Sequence, residues 1–250
     1  MDLPAVEILG VRVHAVTYAQ TLDLMAAWIA QRGPHQIATV NPEFVMAAQR
    51  DARFRSVLNA ADLCVPDGVG LLWAARRLGY RLPERVTGSD LVPMAAERAA
   101  REGWRLFLLG AGPGVARRTA EILVRRNPGL AVVGVAEGSP ADSEADGLIE
   151  AVRTAEPDVL FVAYGAPAQD LWIARHARRL EVPVMMGVGG AFDHIAGVRR
   201  RAPAWVQRIG LEWLFRLITQ PWRWRRQLAL PRFVWAVLRS RPGRHETFHV

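Results

Sequence analysis

The sequence predicts an α/β fold: a doubly wound, mostly parallel sheet followed by a basic, tryptophan-rich helical appendage. Two observations carry this. Short apolar runs rich in β-branched residues alternate with segments of helical period as far as Gly197, and after that glycine the strand signals stop while arginine and tryptophan accumulate. A third observation bounds it: 250 residues give room for one large domain with a substantial core.

Taken in order, the runs at 11–13, 36–40, 61–65, 105–109, 131–135, 159–164 and 182–188 read as strands. Helical period falls between them at 17–31, 42–59, 70–78, 89–102, 113–126, 144–155 and 170–180. Thr17 and Gln20 have the spacing of a capping box, and Pro42 and Pro113 stand where a first-turn proline is tolerated. Strand followed by helix, repeated, makes a parallel sheet with helices on both faces, a Rossmann-like arrangement. Beyond Gly197, two amphipathic stretches at 203–219 and 222–239 are punctuated by Pro221 and Pro231. The expected division is therefore a sheet domain over 1–197 and a helical appendage over 198–250.

The charge is divided at the same place. From Ala196 onward there are twelve arginines against two acids, Glu212 and Glu246, whereas the preceding residues carry 20 basic and 22 acidic side chains. Five of the nine tryptophans, Trp205, Trp213, Trp222, Trp224 and Trp235, lie in this last fifth. Guanidinium pairs with phosphate in a bidentate fork and tryptophan prefers the boundary between headgroup and acyl chain, so an anionic membrane surface is the expected partner. Nucleic acid is the competing polyanion, since basic stretches with interleaved aromatics also track phosphate backbones. The whole basic set is arginine, with no lysine, which a G+C-rich genome would also produce; the asymmetry along the chain is not explained that way.

Cys64 is the only cysteine, which excludes a disulfide within the chain and suits a reducing compartment. Met1-Asp2-Leu3-Pro4 has no positive region leading into an apolar run, and no stretch approaches about 18 apolar residues. The expected location is the cytoplasm, peripheral on the inner face of the membrane.

In a doubly wound sheet ligands bind beyond the carboxyl ends of the strands. The residues there are polar or glycine: Thr39 and Asn41; Pro66, Asp67 and Gly68; Gly110, Gly112 and Gly114; Glu137; Gly165 and Gln169; Gly187, Gly189, Gly190 and Asp193. Gly110-Ala111-Gly112-Pro113-Gly114 does not satisfy G-x-G-x-x-G, which argues against a dehydrogenase, although such a loop can still offer helix N–H groups to a diphosphate. Asn41 and Asp67 could each serve as a cap or turn residue. The six histidines show no metal-ligand spacing, and no D-x-D pair is present to hold a divalent ion on a nucleotide diphosphate.

Eight segments in order resemble the WecG/TagA/CpsF family of bacterial glycosyltransferases: ATVNPEFV (38–45), the run from Phe54 through ADLCVPDGVG to Gly70, LPERVTGSDL (82–91), FLLGAGPGVA (107–116), GAPAQD (165–170), GVGGAFDHIAG (187–197), RRAPAW (200–205) and GLEWLFRL (210–217). The resemblance implies transfer of a hexose, N-acetylmannosamine or its uronic acid, from a UDP-sugar to an undecaprenyl diphosphate-linked saccharide in surface polysaccharide or teichoic acid assembly, with inversion at the anomeric carbon. An inverting transfer needs a base at the acceptor hydroxyl, and Asp67, flanked by Pro66 and Gly68, is the candidate. Thr39, Asn41 and Gln169 are expected in the same cleft, orienting sugar hydroxyls. Without metal, the departing UDP needs helix N-termini and guanidinium groups, for which Arg216, Arg223 and Arg226 beside GLEWLFRL are the candidates. Gly110, Gly112, Glu137, Gly189, Gly190 and Asp193 are expected around the nucleotide. No cofactor or metal beyond the donor is expected. Ala168 and Asp170 stand where the family usually has Lys and Glu, and Gly138-Ser139-Pro140 replaces its E/G-Y-F motif, both bearing on donor choice. The alternative from another class is a nucleotide- or nucleic-acid-binding protein on the same core.

Overall fold

A computed structural model describes residues 3–203, 205–206, 210–221 and 224–240, with the backbone alone at Arg216, Arg225 and Arg226. The chain opens with an antiparallel hairpin, β1 (Ala5–Ile8) and β2 (Val11–His14), turned at Leu9-Gly10. Six further strands, β3 (His35–Val40), β4 (Leu63–Pro66), β5 (Arg105–Gly110), β6 (Ala131–Ala136), β7 (Val159–Ala163) and β8 (Val184–Gly187), form one parallel sheet in the order β4-β3-β8-β7-β5-β6. The helices between them are α1 (Tyr18–Gln31), α2 (Pro42–Ala48), α3 (Ala52–Ala60), α4 (Val69–Arg77), α5 (Gly88–Glu102), α6 (Val115–Arg126), α7 (Asp142–Ala155), α8 (Ala168–Leu180) and α9 (Ala191–Ile195). Three more follow: α10 (Glu212–Thr219), α11 (Trp224–Gln227) and α12 (Ala229–Arg239).

The sheet is buried on both faces, so its strands are continuous apolar runs whose side chains alternate between two cores. Ile37, Leu63, Val65, Phe161 and Met186 pack with α1, α5, α6 and α9. Ala38, Val40 and Cys64 face the hairpin, α2, α3 and α4, while Leu160, Val162 and Met185 face α7 and α8. Cys64 is fully buried, and desolvation pushes its thiol up to about 12, leaving it a packing residue. Helix α12 packs on α2 and α4 and adds Phe233 and Val237 to the core there.

The doubly wound class is borne out, with four corrections in its elements. The run at 11–13 belongs to the separate hairpin, outside the parallel sheet, and its partner β1 was not expected. The expected helix 42–59 is two, because Asp51 accepts a bond from the Phe54 N–H and starts α3 afresh. The short α9 follows the glycines after β8. After Gly197, the helical stretches at 203–219 and 222–239 contain shorter helices than expected.

Candidate active site

From β3 the chain moves outward to β4, crosses to β5 and the far edge at β6, and returns through β7 to β8 beside β3. The helices after β3 and β8 therefore lie on opposite faces, and the carboxyl ends of these two strands open a crevice. Thr39 bridges it: its hydroxyl donates to the Gly187 carbonyl at 3.1 Å. Gln169, 1 % exposed, closes it from α8, its Oε1 accepting the N–H of Gly165 at 3.1 Å and of Gly189 at 2.9 Å. A Cβ on Gly187 would stand 2.5 Å from the Gln169 amide, so only glycine lets the two approach. Thr39, Gln169, Gly187 and Gly189 thus meet as one interlocked unit at the switch point.

Asn41 and Asp67 come together at the ends of β3 and β4. Asn41 caps α2, accepting the Phe44 N–H at 3.0 Å, and the Asp67 N–H donates to the Val40 carbonyl at 2.7 Å. Gly68 follows with φ 133° and ψ 143°, a conformation essentially closed to side-chain-bearing residues, and turns the chain into α4. Both Asn41 and Asp67 line a cavity of about 630 Å³. Its polar wall adds Arg85 from the loop before α5 and Thr87 and Ser89 from the start of that helix; its apolar wall is Trp213, Leu217, Leu228, Leu230, Phe233 and Val234 from the helices after Gly210. Helix α4 begins with no side-chain cap, and its first residues, Val69 and Gly70, also line the cavity.

Beside Asp67 lies a network absent from the sequence reading. Thr87 caps α5, and its hydroxyl donates to Asp90 at 2.8 Å. The Tyr18 hydroxyl accepts the Thr87 N–H at 2.9 Å and donates to Asp90 at 3.2 Å. Arg201 grips the same carboxylate with both terminal nitrogens, at 2.5 and 2.7 Å. Burial works against ionisation of Asp90, but the bonds from Arg201, Thr87 and Tyr18 outweigh it and hold the carboxyl below its ordinary range. The Tyr18 phenol is pushed up to about 12, chiefly by burial, with the charges of Asp90 and Asp67 adding to it. Arg85 pairs with Glu212 at 3.3 Å.

The remaining candidates lie elsewhere. Gly110 ends β5 and Gly112 lies in the loop that follows, where the Gly114 N–H donates at 2.7 Å to Glu137; a carboxylate already stands at the start of α6, and none of the three candidates lines the Asp67 cavity. Asp193, on α9 just after Gly189 and Gly190, pairs with Arg199 at 3.2 Å. Arg216 and Arg226 fall on α10 and α11, but their side chains, and the whole of Arg223, lie outside the described residues.

Comparison with known proteins agrees with this geometry. Residues 6–247 match the family model described as the glycosyl transferase WecG/TagA/CpsF family. Among curated relatives, an N-acetylglucosaminyldiphosphoundecaprenol N-acetyl-beta-D-mannosaminyltransferase of Bacillus spizizenii is 36 % identical over 203 residues, covering 81 % of this chain and 78 % of its own. Its namesake in Bacillus subtilis is 33 % identical, with 89 % and 86 % covered, and that of Staphylococcus aureus 29 % identical, with 94 % and 93 % covered. A parallel sheet with polar strand ends, a cavity floored by Asp67 and a match over nearly the whole chain lead to one conclusion: this chain belongs to the WecG/TagA/CpsF family of glycosyltransferases.

Proposed function

We propose that the chain transfers N-acetylmannosamine from a UDP-sugar to N-acetylglucosamine carried on undecaprenyl diphosphate, inverting the anomeric centre without metal, with Asp67 as general base. The observation that carries this reading is the two-sided cavity: a carboxylate and hydrogen-bonding groups on one wall, tryptophan and leucine on the other. An amphiphilic acceptor suits such a site, its sugar hydroxyl against Asp67 and its hydrocarbon along the helices after Gly210. The relatives' shared name supports the same donor sugar and acceptor.

In the transfer, Asp67 takes the proton from the acceptor hydroxyl as that oxygen attacks the anomeric carbon, and the bond to the UDP oxygen breaks on the opposite side. The leaving diphosphate gathers negative charge. The uncapped start of α4 offers backbone N–H groups to it, and Arg85 offers a guanidinium from the cavity wall. Arg216, Arg223 and Arg226 are proposed to complete this electropositive side. The helices after Gly210 are also proposed to rest the enzyme on the inner face of the membrane, where the acceptor is embedded.

A donor panel tests the reading: UDP-N-acetylmannosamine, its uronic acid, UDP-N-acetylglucosamine and UDP-glucose are each incubated with synthetic lipid-diphosphate N-acetylglucosamine, and the disaccharide is identified by mass. UDP-N-acetylmannosamine is expected to give product at least about tenfold faster than the others, since a site built around one sugar's hydroxyls discriminates strongly. Preference for another donor overturns the sugar assignment; binding of single-stranded nucleic acid that weakens steeply with salt, with no transfer, favours the other class.

A further inference from the structure

Three segments singled out by the sequence, LPERVTGSDL, RRAPAW and GLEWLFRL, contain residues that the transfer as described leaves unused, among them Asp90, Arg201 and Glu212. The structure brings them into contact. Asp90 of the first is held by Arg201 of the second across 111 positions, and Arg85 of the first by Glu212 of the third across 127. Neither Asp90 nor Arg201 lines the cavity. One partner does: Thr87 lines the cavity, and Tyr18, bonded to both Thr87 and Asp90, lies within the field of Asp67.

We propose that Arg201 is a positioning residue for the transfer: by its two-pronged hold on Asp90 it fixes where the chain leaves the sheet domain, and so seats helix α10 over the Asp67 cavity. This rests on the proposed transfer as its activity. Asp90 is held from several sides: Thr87 and Tyr18 also bond its carboxylate, and its backbone lies in the first turn of α5. A planar guanidinium bonded through two nitrogens to such a carboxylate has one orientation, which a single-point contact would not impose. From Arg201 only ten residues lead to Glu212, where the Arg85 pair makes a second attachment with both side chains largely buried. Two attachments thus stand at the two ends of a ten-residue stretch. Trp213 and Leu217, which follow on α10, form part of the apolar wall.

The test compares Arg201→Gln and Arg201→Lys with the unaltered full-length chain, reading steady-state transfer per folded molecule and hydrogen exchange of the amides at 211–219 without substrate. For Arg201→Gln, kcat is expected to fall about tenfold or more, with the KM for UDP-sugar changed less than about threefold, as befits a lost pair of charge-assisted bonds outside the cavity. Exchange at 211–219 quickens while strands β7 and β8 keep their protection. Arg201→Lys, keeping the charge and one bond, recovers at least half of the lost kcat on a logarithmic scale. Unchanged kcat per folded molecule, or unchanged exchange at 211–219, overturns the proposal. Should the unaltered protein transfer no sugar, the proposed function fails by itself, and the exchange arm alone then decides the role of Arg201.

Discussion

Gln169 and Asp170 are neighbours with opposite fates. Gln169 spends its oxygen on two backbone N–H groups at the switch point, so its first task is to hold the ends of β7 and β8 together. Asp170, on the next position of α8, is fully buried, and among the described residues its carboxyl oxygens have no well-formed hydrogen bond. Burial pushes its carboxyl up to about 7, the Gln169 amide and its own N–H offsetting this only in part. The folded protein therefore keeps a proton that the unfolded chain releases near pH 4, so stability declines as pH rises from about 4 to about 7 and levels off above. Asp170→Asn is expected to flatten that decline and to raise the melting temperature at pH 8; an unchanged pH dependence in urea titrations would remove Asp170 as its source. A second expectation at this scale concerns the missing D-x-D pair: excess EDTA should leave transfer within about twofold, whereas an absolute need for Mn²⁺ or Mg²⁺ would reveal a metal site among these residues.

Helix α12 shows how far the segment after Gly197 is part of the core. Phe233, 1 % exposed, and Val237, fully buried, seat it on α2 and α4, the helices that begin at Asn41 and Gly68. Phe233→Ala is expected to cost about 3 kcal/mol or more in chemical denaturation and to loosen those helix starts; a loss below about 1 kcal/mol would mean that α12 is only laid on the surface. Elements with strong local signals were legible in the sequence. The Thr17–Gln20 capping box and the α2 start at Pro42 are found as read, because each depends on residues within one turn. The break at Asp51 was hidden by apolar period continuing through it, and β1 by its pairing with a strand outside the main sheet. The same division holds in the site. Asn41 and Asp67 are legible because strand ends are where ligands bind, but Tyr18, Asp90, Arg201 and Glu212 act through pairings more than 70 residues apart, which no local spacing encodes.

Across the whole molecule, charge and apolar exposure coincide. Trp205, Ile218, Trp224, Trp235 and Leu238 are each more than half exposed, all within the segment that carries twelve arginines. Arg239 stacks over Trp235 at 3.9 Å, a cation held on an aromatic face as at a headgroup boundary. Among the described residues no helix is long and apolar enough to cross a membrane. If the exposed tryptophans and arginines adsorb to anionic lipid as proposed, Arg232→Glu with Arg239→Glu should weaken sedimentation with anionic vesicles by roughly 1 kcal/mol per altered charge, an effect that raised salt should reproduce. Binding that ignores both charge and salt would assign the exposed side chains to another partner. Whatever holds the enzyme near a membrane, the proposed transfer turns on the Asp67 carboxylate between Pro66 and Gly68. The most direct measurement is the rate and anomeric configuration of the product formed from UDP-N-acetylmannosamine on lipid-diphosphate N-acetylglucosamine by the unaltered chain and by Asp67→Asn. A β-linked disaccharide is expected, with a turnover about 10² or more lower for Asp67→Asn and UDP binding retained; an α-linked product, or Asp67→Asn turning over within a few-fold of the unaltered chain, would contradict the inverting mechanism with Asp67 as base.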